Sequence, residues 1–150
     1  MKKYSIIMLL LSVVVLSFYS CGDDDGPEGG KAAKYQVIIK QSGDYQNYIK
    51  AVVIAANGST LKDDITGNSL SKTVFNDEDL AGAVFSVSTE TEAIQFAVSG
   101  RVIDKDEEVV SGPMTWDVTV KKNGKEIDRQ TMEFKDGHSL SDPHLELYYE

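Results

Sequence analysis

Hydrophobic and polar residues alternate along most of the chain after residue 33, which is the pattern of half-buried β-strands. The alternation is clearest in residues 35–39, 114–121 and 145–149. Residues 48–56 are apolar on both faces apart from Lys50, which indicates a central strand. We therefore expect an all-β domain, an antiparallel β-sandwich of about seven or eight strands that is Ig-like in architecture, with a small β-barrel as the alternative.

The clearest local signal is a β-hairpin centred on Asn123-Gly124. Both residue types tolerate the positive φ angles that a type I′ turn requires. Unbroken pairing from this turn misaligns the apolar residues farther along, and one extra residue in the second strand realigns them. We predict a β-bulge within residues 128–130, with Val120 opposite Ile127 before it, and Trp116 opposite Met132 and Met114 opposite Phe134 beyond it.

The N-terminus has the composition of an export signal. Lys2 and Lys3 precede an uncharged apolar stretch over residues 6–19, which is shorter than the roughly 20 residues of a membrane-spanning helix. The stretch ends at Ser20 and Cys21, which is the single cysteine of the chain. One cysteine excludes an internal disulfide and any cysteine-cluster zinc site.

This junction resembles the lipobox of bacterial lipoproteins, although Phe18 and Tyr19 stand where that family prefers leucine and a small residue. The resemblance implies that the thiol of Cys21 carries a diacylglyceryl group and that cleavage makes Cys21 the mature N-terminus. The acidic run at residues 22–26 resembles an export signal of Bacteroidota lipoproteins, which implies an outer-membrane, cell-surface location. Cleavage before Asp23, giving a soluble periplasmic or secreted protein, is the alternative.

Three segments follow from this interpretation. Residues 1–20 are the signal peptide, and residues 34–150 are the β-sandwich domain. Residues 21–33 are the lipidated cysteine and a flexible acidic tether, because they hold glycines and acids without a bulky apolar side chain. The formal net charge of −9 argues against a nucleic-acid partner, since phosphate neutralisation needs basic patches.

Candidate chemistry in the domain is sparse. His138 and His144 flank two serines and Asp142. Both imidazoles with Asp136 or Asp142 are candidates for a metal site, and a Ser-His-Asp site is a further candidate, but no supporting motif accompanies either. The acidic loop at residues 104–108 contains calcium-type ligands, yet Lys105 interrupts it and a solvated hairpin loop is the favoured interpretation. Four tyrosines are candidates for a sugar-stacking platform: Tyr45, Tyr48, Tyr148 and Tyr149.

We therefore predict no catalytic residue, no metal and no cofactor, with Cys21 as the lipid attachment site. The favoured function is a non-enzymatic surface lipoprotein that binds a glycan or an envelope protein. One alternative is an adhesin-type assembly subunit that exchanges strands through the C-terminal strand at 145–149. Another is a small secreted hydrolase that uses the His138–His144 region.

Overall fold

The computed structural model describes residues 30–105 and 108–150. Their strands are β1 (Tyr35–Gly43), β2 (Tyr48–Asn57), β3 (Leu61–Asp63), β4 (Ser69–Leu70), β5 (Val74–Phe75), β6 (Val84–Thr89), β7 (Gln95–Asp104), β8 (Met114–Lys122), β9 (Lys125–Phe134) and β10 (Leu145–Tyr149). A 3-10 turn covers Tyr45–Asn47. Within these two described ranges, no helix is long and apolar enough to cross a membrane.

The strands form two antiparallel sheets that pack as a sandwich. The six-stranded sheet has the order β4-β3-β6-β1-β8-β9, and the four-stranded sheet has the order β10-β7-β2-β5. The predicted sandwich is confirmed. Ten strands replace the expected seven or eight because β3, β4 and β5 are only two or three residues long, too short to give a periodic pattern.

The Ig-like arrangement is wrong. In an Ig domain the first two strands share a sheet. Here β1 lies inside the six-stranded sheet between β6 and β8, whereas β2 lies in the opposite sheet beside β7. The connection at residues 44–47 therefore crosses from one sheet to the other, which alternating polarity within single strands cannot reveal.

The core forms where the alternating apolar residues of both sheets meet. In β8, Met114, Trp116, Val118 and Val120 are buried, as the alternation predicts. Tyr35, Val37 and Ile39 of β1 are buried on the same side of the six-stranded sheet. The inner residues of the facing sheet include the buried Tyr48, Val52, Ile54, Phe96, Val98, Val102, Leu145 and Leu147.

The hairpin contains a bulge, but one position closer to the turn than predicted. Asn123 and Gly124 both have positive φ, at 52° and 78°. Lys121 pairs with Glu126 and Val120 pairs with Asp128, so Ile127 is the extra residue. The pairs Trp116–Met132 and Met114–Phe134 are confirmed, whereas Val120–Ile127 is wrong. The register was inferred by assuming that the apolar Ile127 faces the core. Ile127 is instead 42% exposed, so its apolar side chain does not indicate the register.

The sandwich has two chemically different ends. One end, named the acidic end, contains the loop residues 44–47, 76–83, 104–105, 108–113 and 135–144. The strand termini that adjoin these residues lie on the same side in the pairing register. The other end, named the entry end, contains residues 30–34, 58–60, 90–94 and 123–124. There Ala33 bridges to Ala93, and Asn123 donates its backbone N–H to the carbonyl of Lys34.

Candidate functional site

Three loops of the acidic end each direct an aspartate to the same two residues, Ser111 and Gly112. Asp44 accepts the backbone N–H of Gly112 at 2.9 Å, and Asp136 accepts the backbone N–H of Ser111 at 2.8 Å. Asp104 accepts the Ser111 hydroxyl at 2.9 Å. Carboxylates that lie 32 to 92 positions apart in sequence are thus gathered around one short segment.

Additional hydrogen bonds fix these aspartates on their loops. The second carboxylate oxygen of Asp104 accepts the backbone N–H of Gly137 at 2.7 Å, and the backbone N–H of Asp104 donates to the carbonyl of His138 at 2.9 Å. The Asp44 carboxylate accepts the side-chain amide of Asn47 at 2.8 Å. The aspartates are therefore held by backbone and side-chain donors that also stabilise their negative charge.

A glycine allows the first of these loops to approach the third. Gly43 has a φ of 75°, and a β-carbon at this position would lie 2.2 Å from the carbonyl oxygen of Pro113. Both the left-handed conformation and the close approach require glycine. The backbone N–H of Asp44, the next residue, donates to that same Pro113 carbonyl at 3.0 Å. The sequence Gly43-Asp44 thus places a carboxylate beside the loop that precedes β8.

The electrostatic effect of the cluster reaches a buried phenol. Tyr48 is completely buried and donates its hydroxyl to the Gly112 carbonyl at 2.8 Å. Burial raises the pKa of Tyr48, and the negative charges of Asp104, Asp136 and Asp44 raise it further. All three aspartates therefore act on one region, in which an additional negative charge is unfavourable and a cation is favourable.

The composition of this cluster fits a hard cation. Calcium takes carboxylate and backbone carbonyl oxygens. Three carboxylates contact Ser111 and Gly112, and the carbonyls of Gly112 and Pro113 accept hydrogen bonds from Tyr48 and Asp44 in the same region. Within 30–105 and 108–150, no three His, Cys, Asp or Glu side chains are grouped as closely as the ligands of a bound metal. Two more acids of the same loop, Asp106 and Glu107, fall outside those ranges.

A buried lysine lies close to this end of the sandwich. Lys50 is 4% exposed, on the core-facing side of β2. Its ammonium group donates to the carbonyls of Tyr45 at 2.7 Å and Leu80 at 3.3 Å and lies 5.0 Å from the centre of the Tyr45 ring. Burial lowers the pKa of Lys50, and nearby Asp77 opposes that shift. The lysine connects the loops at 44–47 and 76–83 from inside the molecule.

The comparison with known families decides the identity of the chain. Residues 1–148 match the family described as "PLAT/LH2 and C2-like Ca2+-binding lipoprotein". The chain belongs to this family. Its sandwich is therefore C2-like and not Ig-like, in agreement with the placement of β1 and β2 in opposite sheets. Membership also supports the lipoprotein character predicted from the leader, although Cys21 itself lies outside the residues that the structure describes.

Three solved structures resemble this lipoprotein. One is an NMR structure of the calcium-bound form of a protein from Parabacteroides distasonis. It is 50% identical, covers 86% of this chain and 100% of its own, and superimposes with a TM-score of 0.75. Two DUF4425 proteins, from Bacteroides ovatus and Bacteroides vulgatus, are 18% and 19% identical with TM-scores of 0.62 and 0.61. Each covers 79% of this chain, and 94% and 93% of its own, and shows the fold alone.

The search of curated proteins finds no match to this lipoprotein. The source genera of the similar structures, Parabacteroides and Bacteroides, agree with the Bacteroidota character of the acidic export run.

The two histidines of this lipoprotein do not share a site. His144 contacts Glu146 at 2.6 Å, whereas the His138 ring packs edge-on against Phe134 with centroids 4.9 Å apart. His138 lies 4.0 Å from Asp142 and borders a shallow groove of about 430 Å³ beside β9. The Ser139 hydroxyl donates to Asp142 at 3.0 Å, so the serine contacts the acid directly instead of an imidazole.

The four tyrosines do not form a common platform. Tyr48 is buried and Tyr45 packs against the core at the acidic end. Tyr148 and Tyr149 end β10 on the side of the entry end, where the Tyr149 hydroxyl donates to Asp128 at 2.7 Å. Only Tyr148, at 55% exposure, presents most of its surface to solvent. The proposed stacking surface is wrong because the strands place these residues at opposite ends.

The sequence analysis considered Asp104 among calcium-type ligands but favoured a solvated loop, and it gave no calcium role to Asp44 or Asp136. Asp44 follows a glycine in a turn, and Asp136 precedes one, so each looked like an ordinary turn residue. The available signal was the position of each aspartate at the end of a strand, where antiparallel pairing brings alternate connections to the same end of a sandwich.

Proposed function

We propose that this chain is a lipid-anchored, calcium-binding surface lipoprotein whose acidic end holds the ion. The observation that carries the proposal is the convergence of Asp44, Asp104 and Asp136 from three loops upon Ser111 and Gly112. Family membership and the calcium-bound relative of 50% identity support calcium as the ion. The three aspartates would supply hard oxygen ligands of the kind that calcium binds. Their negative charge is now stabilised by N–H and O–H donors, and a bound ion would neutralise it.

The role we propose is binding and not catalysis. Calcium at the acidic end would order the loops and form a surface that recognises an envelope protein or a glycan. The export signals support placement at the outer surface of the outer membrane. The His138 groove is the feature in favour of the hydrolase alternative, and its Ser139–Asp142 contact does not supply an activated nucleophile.

Replacing Asp104 or Asp136 with asparagine is expected to weaken calcium binding by at least about tenfold, because each change removes one negative charge and a ligand oxygen of calcium type. Isothermal titration with calcium measures the affinity, and thermal unfolding with and without EGTA gives an independent readout. Wild type should lose thermal stability in EGTA by mass action, and the variants should lose less.

Asp117→Asn is the matched control, because Asp117 lies on the outer face of β8, away from the acidic end, and carries the same charge. It should bind calcium like wild type. Equal affinity in all three variants and wild type would place the calcium site elsewhere, and no calcium binding by wild type would refute the proposal.

The anchor has its own test. Wild-type protein in cells labelled with palmitate is expected to incorporate label and to begin at an acylated Cys21 in the mass spectrum, because a lipobox cysteine receives the lipid. Cys21→Ala should lose all label and accumulate as precursor. Unlabelled wild-type protein beginning at Asp23 would show soluble export instead.

A further inference from the structure

Tyr48 lies on the core side of the segment that the aspartates contact. It is the first residue of β2, its side chain is completely buried in the core, and its hydroxyl donates to the Gly112 carbonyl at 2.8 Å. In the pairing of β2 with β7, Tyr48 lies opposite Asp104. One end of the four-stranded sheet therefore supplies both an aspartate of the acidic cluster and a phenol that contacts the same loop segment.

The Ser111–Gly112 segment is held from two directions. From the loops, three aspartates accept its backbone N–H groups and its hydroxyl. From the core, the Tyr48 hydroxyl donates to the Gly112 carbonyl. The two peptide groups that flank Gly112 are thus each fixed by a hydrogen bond, one to an aspartate and the other to the tyrosine.

The position of Gly112 leaves little space for the segment to move. A β-carbon at this position would lie 3.2 Å from the Asp44 β-carbon and 3.3 Å from the Asp44 Oδ2 atom. The segment is therefore in close contact with the Asp44 side chain on one side and with the Tyr48 hydroxyl on the other. A small displacement of the segment would change the position of the carboxylate that contacts it.

The residues that precede the segment do not anchor it to the core. Val109 and Val110 are 56% and 83% exposed, so this part of the loop has little apolar packing. Ser111 is buried, but its backbone N–H and its hydroxyl both donate to aspartates. The Tyr48 hydrogen bond thus connects the segment to a strand of the core, and strands hold functional groups more precisely than loops do.

Calcium affinity depends on how well the carboxylates are oriented before the ion arrives. A carboxylate has about four lone-pair sites, so an aspartate can keep its donor from this segment and still offer oxygen to an ion. Loss of a group that orients metal-binding side chains typically weakens metal binding by about 10–100-fold, even when that group does not touch the metal. Tyr48 is placed to be such a group, because it acts on the segment that all three aspartates share.

We propose that Tyr48 is a positioning residue of the calcium site, whose hydroxyl fixes the Ser111–Gly112 segment and, through it, the three aspartates. This role rests on the proposed calcium function and deepens it, because it makes a core residue a determinant of calcium affinity. It differs from a purely structural role, in which loss of the hydroxyl would lower stability and leave the affinity unchanged.

Tyr48→Phe removes the hydroxyl and keeps the ring, so the packing of the core is retained. Isothermal titration of the mature lipoprotein in a non-ionic detergent is expected to show calcium binding about tenfold weaker than that of wild type. Circular dichroism in EGTA would show that the variant is folded. The gain in melting temperature on addition of calcium should fall together with the affinity.

Two buried hydroxyls near the entry end provide matched controls. Tyr35 is fully buried, and among the described residues its hydroxyl has no hydrogen-bond partner, so Tyr35→Phe makes the same chemical change without losing a bond. The buried Thr89 hydroxyl accepts the backbone N–H of Tyr35 at 3.0 Å, and Thr89→Val removes this bond far from the aspartates. Both controls are expected to bind calcium like wild type, whereas Thr89→Val should unfold at a lower temperature.

The outcomes separate the role of Tyr48 from the calcium function itself. Wild-type affinity in Tyr48→Phe would overturn the positioning role and leave the calcium function intact. An equal loss of affinity in Tyr48→Phe and Thr89→Val would also overturn it, because general destabilisation would then account for the effect. Absence of calcium binding by wild type would refute the calcium function and the positioning role with it.

Discussion

Trp116→Ala is expected to lower the free energy of unfolding by about 3–5 kcal/mol, the range for truncation of a buried aromatic side chain. Trp116 is fully buried and packs edge-on against Phe134 with centroids 5.3 Å apart. It also lies against the opposite sheet, since a β-carbon added at Gly100 would be 2.7 Å from its ring. The ring therefore fills the space between β8 and β7, and its loss leaves a cavity shared by both sheets.

The same substitution removes a buried hydrogen bond. The indole N–H of Trp116 donates to the side-chain oxygen of Gln41 at 3.0 Å, and Gln41 donates its amide to the carbonyls of Leu80 and Gly82. Without the indole, the Gln41 oxygen is left without its donor, which adds to the cost. Since a domain of this size has roughly 5–15 kcal/mol of stability, the variant is expected to be close to unfolding.

Urea unfolding followed by circular dichroism measures the change without relying on tryptophan fluorescence. Thr131→Ala, on the exposed edge strand, should change the stability by less than about 0.5 kcal/mol. A loss of less than about 1 kcal/mol for Trp116→Ala would show that the ring does not have this structural role.

Lys50→Ala is expected to lower the free energy of unfolding by about 3 kcal/mol, through loss of the buried side-chain stem and of the ammonium donor. Lys50→Met keeps most of the stem, and its expected cost is about 1–2 kcal/mol. Both variants leave the Tyr45 carbonyl without its ammonium donor, whereas the Leu80 carbonyl retains Gln41 as a donor. The difference between the two variants is therefore the packing of the side-chain stem. Removal of the Lys50 ammonium charge also removes the free-energy cost of desolvating it, which partly offsets the lost stability.

Chemical denaturation of the two variants separates packing from hydrogen bonding at Lys50. Lys40→Ala serves as the control, because Lys40 is exposed on the outer face of β1 and should contribute less than about 0.5 kcal/mol. If Lys50→Ala cost no more than Lys40→Ala, the buried lysine network would have no role in stability.

Lys50 also shows where sequence-based prediction reached its limit. Alternation correctly located β2, but it made Lys50 the polar exception of an otherwise apolar strand. The structure places it inward because the carbonyls of Tyr45 and Leu80 lie within its reach. Those acceptors belong to two other loops, so their position depends on tertiary packing and not on the local pattern. Short strands such as β4 and β5 escaped prediction for the same reason, since pairing defines them more than periodicity does.

The acidic cluster was partly predictable. The loop at 104–108 stood out by its composition, whereas Asp44 and Asp136 each occur in a common turn sequence. Their convergence follows from the pairing of β1 with β8 and β8 with β9, together with the crossing to the opposite sheet after residue 43. A prediction of strand order, and not of strands alone, is what would have identified the three aspartates as a group.

The separation of the two ends determines which electric field the acidic loops experience. Residue 30 lies at the entry end, and the nine residues of β1 put the acidic end about 30 Å farther from the attachment side. This distance is more than three Debye lengths at physiological ionic strength. In an anchored molecule standing upright, the loops would therefore sense the ionic composition of the surrounding medium and not the surface potential of their own membrane. The lipid composition of that membrane should leave the calcium affinity that we propose for these loops unchanged.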